Sequence, residues 1–421
     1  MLKFFSLYLA ENMISKAFNN ALKLEPLASG VNYVPLHKNY MLYIHVPFCH
    51  DFCPFCSFHK FKYNAQLAQN YFKALRQEMR IIHEKGLSFD RVYVGGGTPL
   101  IHPEELFKTL ELAKKLFNIK EISCESSPSN IDPSILHQAS GLIDRLSIGV
   151  QTFDDTLLKQ MGRYDRYGSS LELQEKILSL HGSVPTISLD LIFNFPMQTK
   201  VMLKEDLRIA KSLLVDQITT YPLMRSSMMK QKINQIFGSM ERNKEWEFYQ
   251  IIREEMAEYA LNNAWAFAKE KSDLSDEYVI QYPEYVGIGS GAFSFLNNHL
   301  YVNAYDLDEY SAKVQQNKHS IIASSQAFSQ KEHIQYVFLV QLFSGKVDIE
   351  YFNERFNISL EKTLKSELWW LEKNNAIIKD QKYISTTLFG DFLCLTMMKT
   401  FYAQMDNVRA YLNKQFSQKV S

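Results

Sequence analysis

The sequence of 421 residues contains little cysteine and carries no net charge. Its 46 basic residues are balanced by 46 acidic ones, which argues against a general surface for nucleic acid or anionic lipid, because such surfaces need a basic excess. No apolar run approaches the length of a membrane-spanning helix. Residues 1–11 include a short apolar stretch without the cleavage pattern of a secretory signal. We therefore expect a cytoplasmic protein with no membrane span and no nucleic-acid partner.

The few cysteines are unevenly distributed, because three of the five lie within eight residues. Cys49, Cys53 and Cys56 follow the pattern Cys-x3-Cys-x2-Cys. Thiolates this close together usually hold a metal or an iron–sulfur cluster, and the low, odd cysteine count argues against disulfides. A cubane cluster bound by three thiolates keeps one iron open for a small molecule, much as a catalytic zinc keeps an open position. A structural zinc site is the alternative, with His50 or His59 as its fourth ligand.

Apolar strands and amphipathic helices alternate from about residue 41. Strand–helix units in succession predict a parallel α/β architecture, which right-handed crossovers curl into a partial or full barrel. The expected fold class is α/β, with a partial (β/α)6 barrel over residues 41–300 after an N-terminal extension of residues 1–40. The predicted strands are 42–45, 91–94, 121–125, 145–150, 186–193 and 217–222. The predicted helices include 67–82, 103–117 and 203–214, with others beginning near residues 132, 155 and 169.

The pattern changes after the sixth strand. A long helix is predicted from about residue 245, followed by a glycine-rich loop over residues 285–292. Beyond residue 329 the pattern is mostly helical, with a helix at 361–373 and a short hairpin at 376–384. Helices followed by a hairpin predict a winged-helix-like C-terminal domain, to which we assign residues 301–421. Without a basic patch, DNA binding is not expected of it.

Glycines and polar residues follow the ends of successive predicted strands. The cysteine loop, the glycines at 95–97, Glu125, Gln151 and Asn194 all occupy such positions. The functional residues of βα barrels lie at the C-terminal ends of the strands, so these groups are expected to converge at one mouth. A glycine run there lets the backbone approach a ligand closely, although each of these residues taken alone is more often structural.

The cysteine spacing resembles the signature of radical S-adenosylmethionine (SAM) enzymes. Further motifs in a fixed order narrow the resemblance to the HemN-like subfamily, named for oxygen-independent coproporphyrinogen III dehydrogenase. The resemblance covers about residues 41–300 and is weaker beyond them. The motifs are Tyr43-x-His-x-Pro-Phe-Cys, Gly-Gly-Gly-Thr-Pro from Gly95, Arg-Leu-Ser-Ile-Gly-Val-Gln-Thr-Phe from Arg145, Gly162 with Arg163, Asp-Leu-Ile-Phe-Asn-Phe-Pro-Met-Gln-Thr from Asp190, and Gly-Ile-Gly-Ser-Gly-Ala from Gly287.

The resemblance implies cofactors and the residues that bind them. Cys49, Cys53 and Cys56 would bind a [4Fe-4S] cluster whose open iron is chelated by SAM, and reductive cleavage of SAM would give a 5′-deoxyadenosyl radical. Gly289 and Ala292 are implied to form part of a second SAM site. The implied partners are a tetrapyrrole substrate, haem as a further ligand, and an electron donor such as flavodoxin or ferredoxin. The residues implied to contact the first SAM are Tyr43, Phe55, Gly96, Gly97, Thr98, Glu125, Gln151, Arg163 and Asp190.

The sequence departs from the subfamily at several positions. Phe58 stands where the coproporphyrinogen dehydrogenases carry a further cysteine, and Asp165 replaces the histidine of a Gly-Arg-x-His motif. The usual Gly-Leu-Pro-Gly-Gln-Thr motif reads Asn-Phe-Pro-Met-Gln-Thr from Asn194. The His-Asn motif linked to haem in the chaperones has no recognisable counterpart in residues 276–283. These departures resemble the relatives of the dehydrogenase more than the dehydrogenase itself.

Three functions are consistent with the resemblance. The first expectation is a radical SAM oxidoreductase acting on a porphyrin or haem, because most of the resembling subfamily acts on tetrapyrroles. The second is a haem chaperone of the HemW type, which is a binding protein. The third is a methyltransferase that uses two SAM molecules on another aromatic substrate. The sequence assigns no catalytic side chain.

Overall fold

The computed structural model describes residues 40–226, 229–239, 244–270, 282–317 and 319–417, together with 7, 8, 10–12, 15, 23–27 and 279. Strands, numbered in chain order, are β1 Leu24–Pro26, β2 Tyr40–Val46, β3 Phe48–Cys49, β4 Phe61–Lys62, β5 Phe89–Gly96, β6 Glu121–Ser126, β7 Arg145–Gln151, β8 Thr186–Phe193, β9 Gln217–Pro222, β10 Ala260–Asn263, β11 Ala266–Ala268, β12 Tyr285–Ile288, β13 Phe293–Leu296, β14 His299–Asn303, β15 Ile321–Ser325, β16 Lys346–Asp348, β17 Ile377–Lys379 and β18 Tyr383–Thr386. Helices, numbered likewise, are α1 Ala65–Glu84, α2 Pro103–Leu116, α3 Pro133–Gln138, α4 Asp155–Gln160, α5 Tyr164–Tyr167, α6 Ser170–Ser179, α7 Lys200–Ser212, α8 Lys230–Phe237, α9 Lys244–Glu255, α10 Leu307–Asn317, α11 Gln330–Phe343, α12 Ile349–Phe356, α13 Leu360–Thr363, α14 Lys365–Lys373 and α15 Leu388–Ser417.

Neighbouring parallel strands form the centre of the main sheet. Their order is β12-β2-β5-β6-β7-β8-β9, and every adjacent pair in this series is parallel. The six strands predicted from the sequence therefore lie side by side in chain order. Helices separate each of them from the next, as crossover connections between parallel strands require. The predicted partial (β/α)6 barrel is confirmed.

Helix α1 follows the apolar periodicity of its sequence. Asn64 caps the first turn, because its side chain accepts a hydrogen bond from the backbone N–H of Leu67 at 3.0 Å. Phe72, Leu75 and Met79 lie on one face of the helix and are completely buried. The helix predicted at 67–82 is therefore confirmed, with two further residues at each end.

Half of the predicted glycine-rich loop is a strand. Residues 285–288 form β12, which pairs in parallel with β2, and only the residues after them turn. The prediction of a loop over the whole of 285–292 is wrong for this half. Position 287 of this strand requires glycine, because the backbone carbonyl of Phe293 occupies the space that a Cβ would need. Glycine here permits a close approach of two chain segments and does not mark a turn.

The main sheet continues past the parallel strands at both edges. Strands β13, β14, β15 and β1 extend it beside β12, and β11 and β10 extend it beside β9, all by antiparallel pairing. Residue 300 lies inside β14, so the predicted domain boundary cuts through a strand. Short antiparallel strands lack the alternation of strand and helix that marked the barrel, which is why the sequence did not indicate this extension. We propose that the first domain extends through β15.

The C-terminal part is mostly helical and contains a small sheet. Strands β16, β18 and β17 form a three-stranded antiparallel sheet, whose β17–β18 hairpin matches the hairpin predicted at 376–384. The helix predicted at 361–373 is divided at Leu364, whose φ of −108° and ψ of 32° leave the helical region. Helix α15 then returns to the barrel. Across the described ranges, no helix combines the length and the apolar character needed to cross a bilayer.

Candidate functional site

A cavity opens at the C-terminal ends of the parallel strands. It encloses about 1660 Å³ of space, with open solvent at its mouth included. Most of the site residues implied by the resemblance meet here, including all three clustered cysteines. The implied residues that line the cavity are Tyr43, Cys49, Cys53, Phe55, Cys56, Gly96, Gly97, Thr98, Glu125, Gln151, Arg163 and Asp190.

The three cysteines form one wall of the cavity as free, half-buried thiols. Thr98 Oγ1 lies 3.7 Å from Cys49 Sγ, and Arg163 donates from Nε to Cys53 Sγ at 3.2 Å. Arg163 is held in place by a second hydrogen bond from Nη1 to the Gly149 carbonyl at 2.7 Å. Burial raises the pKa of the Cys49 thiol, and Thr98 partly opposes this rise. A hydroxyl and a guanidinium beside the sulfurs suit anionic thiolates, so the residues fit an iron–sulfur cluster.

The zinc alternative lacks a suitably placed fourth ligand. His59 is buried and points its Nε2 at Ser290 Oγ, 2.9 Å away, and His50 packs its ring edge against Tyr63. Neither histidine lines the cavity. Among the described residues, no three histidine, cysteine or acidic side chains converge on the position of a single ion. Three thiolates that bind three different irons of a cluster need no such convergence.

The glycine run packs directly against the segment that leads into the cysteine loop. Gly97 and Thr98 donate their backbone N–H groups to the carbonyls of Val46 and Phe48, each at 2.8 Å. Gly96 has a φ of +117°, and a Cβ there would lie 2.6 Å from the imidazole of His45. A Cβ on Gly97 would lie 2.5 Å from the Phe48 carbonyl oxygen. Glycine is therefore required at both positions, which places bare backbone at the cavity wall.

Two half-buried carboxylates face the cavity from neighbouring parts of the barrel. Glu125 accepts hydrogen bonds from Tyr93 Oη at 2.9 Å and from Gly96 N at 3.3 Å. Removal from water raises the pKa of Glu125 to about 7, and the charge of Asp190 adds to this rise. Removal from water likewise raises the pKa of Asp190 to about 6, although the nearby Arg145 opposes the rise. Carboxylates whose pKa is raised by removal from water favour a ligand that brings positive charge.

The position of Gln151 depends on a residue that the sequence analysis missed. Gln151 ends β7 with a φ of +76°, which is uncommon for a residue with a side chain. The next two residues are anchored by the buried Asp206, which accepts from Thr152 Oγ1 at 2.9 Å and from Phe153 N at 2.6 Å. Burial raises the pKa of Asp206 to about 7. The sequence signal that could have revealed Asp206 was a single carboxylate on the buried face of α7.

The opposite wall comes from a part of the chain that was assigned no role. Tyr402, Asp406 and Arg409 lie on one face of α15 and line the cavity. Asp406 accepts hydrogen bonds from Ser57 Oγ and, at 2.7 Å, from Arg409 Nη1. The Arg409 guanidinium lies 5.9 Å from the centre of the Phe58 ring. The helix was predictable, but nothing in its sequence indicated that it packs on the cysteine loop more than 340 residues earlier.

Two residues implied for a second SAM site and one residue expected at the mouth do not line the cavity. Gly289 and Ala292 are buried, and Gly289 donates its backbone N–H to Glu78 at 2.8 Å. A second SAM that contacts these two residues would need a rearrangement, so that site stays a prediction. Asn194 is 1% exposed and donates from Nδ2 to Glu245 at 2.8 Å, away from the mouth.

The first comparison with known proteins concerns the class of protein to which this chain is similar. Residues 43–210 match the radical SAM superfamily, and the chain therefore contains a radical SAM domain, which implies a [4Fe-4S] cluster and SAM as cofactors. Its relatives include HemW and HemN-type proteins. A heme chaperone HemW from Bacillus subtilis is 25% identical over 384 residues, which cover 86% of this chain and 99% of the relative.

Two further comparisons cover different parts of the chain. An oxygen-independent coproporphyrinogen III oxidase from Bradyrhizobium diazoefficiens is 25% identical over 214 residues, which cover 48% of this chain and 47% of the oxidase. The solved structure of coproporphyrinogen III oxidase (HemN) from Escherichia coli aligns with a TM-score of 0.72 at 20% identity, over 86% of this chain and 90% of the other. This last similarity establishes a shared fold, helical C-terminal domain included, and nothing more.

Proposed function

We propose that this protein is a haem chaperone of the HemW type, which binds a [4Fe-4S] cluster, SAM and haem and transfers the haem. The observation that carries the proposal is the extent of similarity. The match to the Bacillus subtilis chaperone spans nearly the whole relative, whereas the match to the oxidase spans less than half. A match over 86% of this chain must extend into the C-terminal part, and helix α15 of that part forms one wall of the cavity.

The residues of the cavity divide into two groups in this proposal. Cys49, Cys53 and Cys56 would hold the cluster, and Thr98 and Arg163 would stabilise their thiolates. Bound together, the cluster and SAM supply one-electron cleavage of the sulfonium when an electron donor such as flavodoxin or ferredoxin provides the electron. The cluster also requires a reducing compartment, which supports a cytoplasmic location.

The second group binds SAM. The backbone at residues 96–98 approaches the ligand closely because two of these residues are glycines. Glu125 and Asp190 offer carboxylates to the amino group or the ribose hydroxyls, and their raised pKa values fall when a cationic ligand arrives. Phe55, stacked under Arg163 with 5.3 Å between the guanidinium and the ring centre, closes the side next to the cysteines.

Phe58 argues against oxidation of coproporphyrinogen III. The oxidases resembled by this chain carry a cysteine at that position, and here a half-exposed phenyl ring lies below Arg409. Residue 58 lines the cavity, but its side chain carries no thiol or other polar atom. The site therefore lacks a group that those enzymes retain.

A second candidate is a radical SAM enzyme that acts on a tetrapyrrole. Three cations, Lys60, Arg166 and Arg409, line the same cavity as the rings of Phe58 and Tyr402, and the Arg409 guanidinium lies 5.9 Å from the centre of the Phe58 ring. Cations next to aromatic rings suit the carboxylates and the flat ring of a porphyrin. Each cation already has a protein partner, such as Asp51 for Arg166 at 3.4 Å, so a porphyrin would have to compete for them.

One anaerobic experiment separates these functions. The protein is reconstituted with iron and sulfide, reduced, and given SAM with and without haem, while haem absorbance, 5′-deoxyadenosine and S-adenosylhomocysteine are followed. The chaperone proposal expects stoichiometric haem binding without haem-dependent consumption of SAM. Haem-dependent 5′-deoxyadenosine would establish the enzyme instead, and S-adenosylhomocysteine would indicate methyl transfer. Cys53→Ala is the control, which should lose the cluster and retain the fold.

A further inference from the structure

Arg163 is a charged residue that the fold buries at the wall of the cavity. It is 9% exposed, and a guanidinium stays protonated in proteins. Buried arginines are usually paired with a carboxylate, because an uncompensated charge away from water is costly. Within the described ranges, however, Arg163 forms no ion pair with a carboxylate. The chain therefore holds a positive charge beside the cysteines without a carboxylate to compensate it.

The contacts that Arg163 does make lead to one sulfur. Its Nε donates to Cys53 Sγ at 3.2 Å, and its Nη1 donates to the Gly149 carbonyl at 2.7 Å. The guanidinium carbon lies 5.3 Å from the centre of the Phe55 ring and 5.1 Å from that of Tyr167. Both rings are buried. These contacts lie within the chain itself, so they fix the guanidinium on Cys53 before any ligand arrives.

The backbone before Arg163 explains why it points there. Gly162 closes helix α4 with a φ of +65°, the left-handed conformation that commonly ends a helix. Gly162 donates its N–H to the Lys159 carbonyl at 3.0 Å, and Arg163 donates its own to the Leu158 carbonyl at 2.9 Å. This pair of bonds is a Schellman motif. The order Gly-Arg in the sequence therefore ends one helix and sets the arginine at the start of the next.

The next arginine along the chain provides a contrast. Arg166 lies on the same short helix, α5, and its side chain is 25% exposed. It pairs with Asp51 Oδ2 at 3.4 Å. The more exposed arginine thus has a carboxylate from the chain, whereas the more buried one has a thiol and a carbonyl. The difference indicates that the countercharge of Arg163 is a group bound by the cysteines.

Electrostatics then gives the direction of the effect. Three thiolates bring negative charge to the site, and one-electron reduction of a cluster bound there would add another negative charge. Coulomb attraction grows with charge, so a fixed cation stabilises the reduced form more than the oxidised form. Net charge and hydrogen bonds to the sulfurs are among the factors that set the reduction potential of iron–sulfur clusters.

We propose that Arg163 raises the reduction potential of the cluster through its charged hydrogen bond to Cys53. The cluster then accepts one electron more readily from a low-potential donor protein, and no bond of Arg163 forms or breaks. The inference deepens the proposed function and rests on its cluster. It gives a further role to an arginine that the resemblance connected only with SAM. Because Arg163 acts through a cysteine, it is a positioning residue.

The first test measures the potential without SAM or haem. The full chain is reconstituted with iron and sulfide and titrated with titanium(III) citrate in the presence of mediators, while electron paramagnetic resonance follows the reduced cluster. Arg163→Gln should make reduction about tenfold less favourable or more, a downward shift of about 59 mV for a one-electron couple. Arg163→Lys keeps the charge and should recover part of the shift. A wild-type potential in Arg163→Gln would overturn the proposal.

A matched control separates the contact from the total charge of the protein. Arg208→Gln removes an arginine whose side chain is 65% exposed and paired with Glu205, and should leave the potential unchanged. An equal shift in both glutamine variants would overturn the proposal. If Arg163→Gln takes up no cluster, Tyr167→Leu replaces it, because this change removes one ring that holds the guanidinium. A wild-type potential in both Tyr167→Leu and Arg163→Lys would then overturn the proposal.

Two further measurements distinguish this role from the alternatives. If Arg163 serves only SAM, Arg163→Gln weakens SAM binding and leaves the potential without SAM unchanged, which would overturn the proposal. If Arg163 serves only the fold, melting of the cluster-free variant falls without a shift in potential, which would also overturn it. A shifted potential in a protein that binds no haem would overturn the chaperone function and support the role of Arg163. Failure of wild type to take up a cluster would overturn both.

Discussion

Desolvation raises the pKa of two carboxylates, Glu78 and Glu125, that have very different surroundings. Glu78 is 4% exposed and has four donors: Gly289 N at 2.8 Å, Tyr310 Oη at 2.6 Å, Asn303 Nδ2 at 3.3 Å and Ser320 Oγ. Glu125 has two donors, one of them at 3.3 Å, and a cavity in front of it.

Desolvation raises the pKa of both groups, so what distinguishes them is the number of donors and the open space. Glu78 ties α1 to the loop after β12 and to α10, and it does not line the cavity. Glu125 sits next to a second carboxylate, Asp190, and its hydrogen-bonding capacity is only partly used. A structural acid is satisfied by the chain itself, while a binding acid is left for a ligand to satisfy.

The largest expected effect is a loss of stability on replacing Glu78, the acid that is satisfied by the chain itself. Glu78→Ala leaves four buried donors without their acceptor, so we expect it to lower the free energy of unfolding by roughly 3 kcal/mol or more. Chemical denaturation of the protein without cofactors measures this. The exposed Glu104→Ala is the matched control and should change stability by less than about 0.5 kcal/mol. Equal stability of the two variants would contradict the structural role.

The next effect concerns the pH dependence of stability without cofactors. The pKa of Glu125 rises from 4.5 to about 7 and that of Asp190 from 3.8 to about 6 on folding. A carboxyl with a raised folded-state pKa stabilises the fold only while protonated, so stability should fall as the pH rises from about 4 to 7. Allowing for solvent in the cavity, the loss per group is about 2 kcal/mol. Urea denaturation across this range measures it.

The Glu125→Gln variant isolates one part of that dependence. It should show a shallower fall of stability with pH and should be at least as stable as wild type at pH 8, because it has no charge to desolvate. The residual slope belongs to Asp190 and to Asp206, whose pKa burial also raises to about 7. An identical slope in wild type and variant would show that Glu125 does not titrate in this range.

The same variant should weaken the cofactor site. We expect Glu125→Gln to raise the dissociation constant for SAM about tenfold, since a charged hydrogen bond to the ligand is lost. Calorimetry in two buffers of different ionisation enthalpy should also find fewer protons released on binding than in wild type at pH 6.5. Unchanged affinity and proton release together would return Glu125 to the structural class.

The smallest effect is expected at Asp406, which lines the cavity like Glu125 but is paired within the chain like Glu78. Asp406 is 5% exposed and lines the cavity, but Arg409 already pairs with it at 2.7 Å. Ser57→Ala removes only one of its donors, so the free energy of unfolding should fall by less than about 1 kcal/mol. Thermal unfolding measures the change. A loss as large as that of Glu78→Ala would place Asp406 with the structural acids.

The parts of the site that could be predicted from the sequence are each marked by a short local pattern of residues. The cysteine spacing, the glycines at 95–97 and the strand-end position of Glu125 can each be recognised without knowing the fold. The roles of Asp206, Asp406 and Arg409 could not, because each acts on a segment far away in sequence. The strand at 285–288 was not predicted for a related reason. Its glycines suggested a turn, and only pairing with the distant strand β2 shows that the segment is extended.

The sequence by itself determined the class of chemistry and the parallel barrel, because cluster ligation depends on closely spaced cysteines and strand–helix alternation is written in local hydrophobic periodicity. Only the tertiary structure decided which acids the chain itself satisfies, as at Glu78, and which face open space, as at Glu125. Those properties depend on how many donors and how much open space surround a group, and the surrounding groups come from segments that folding alone brings together.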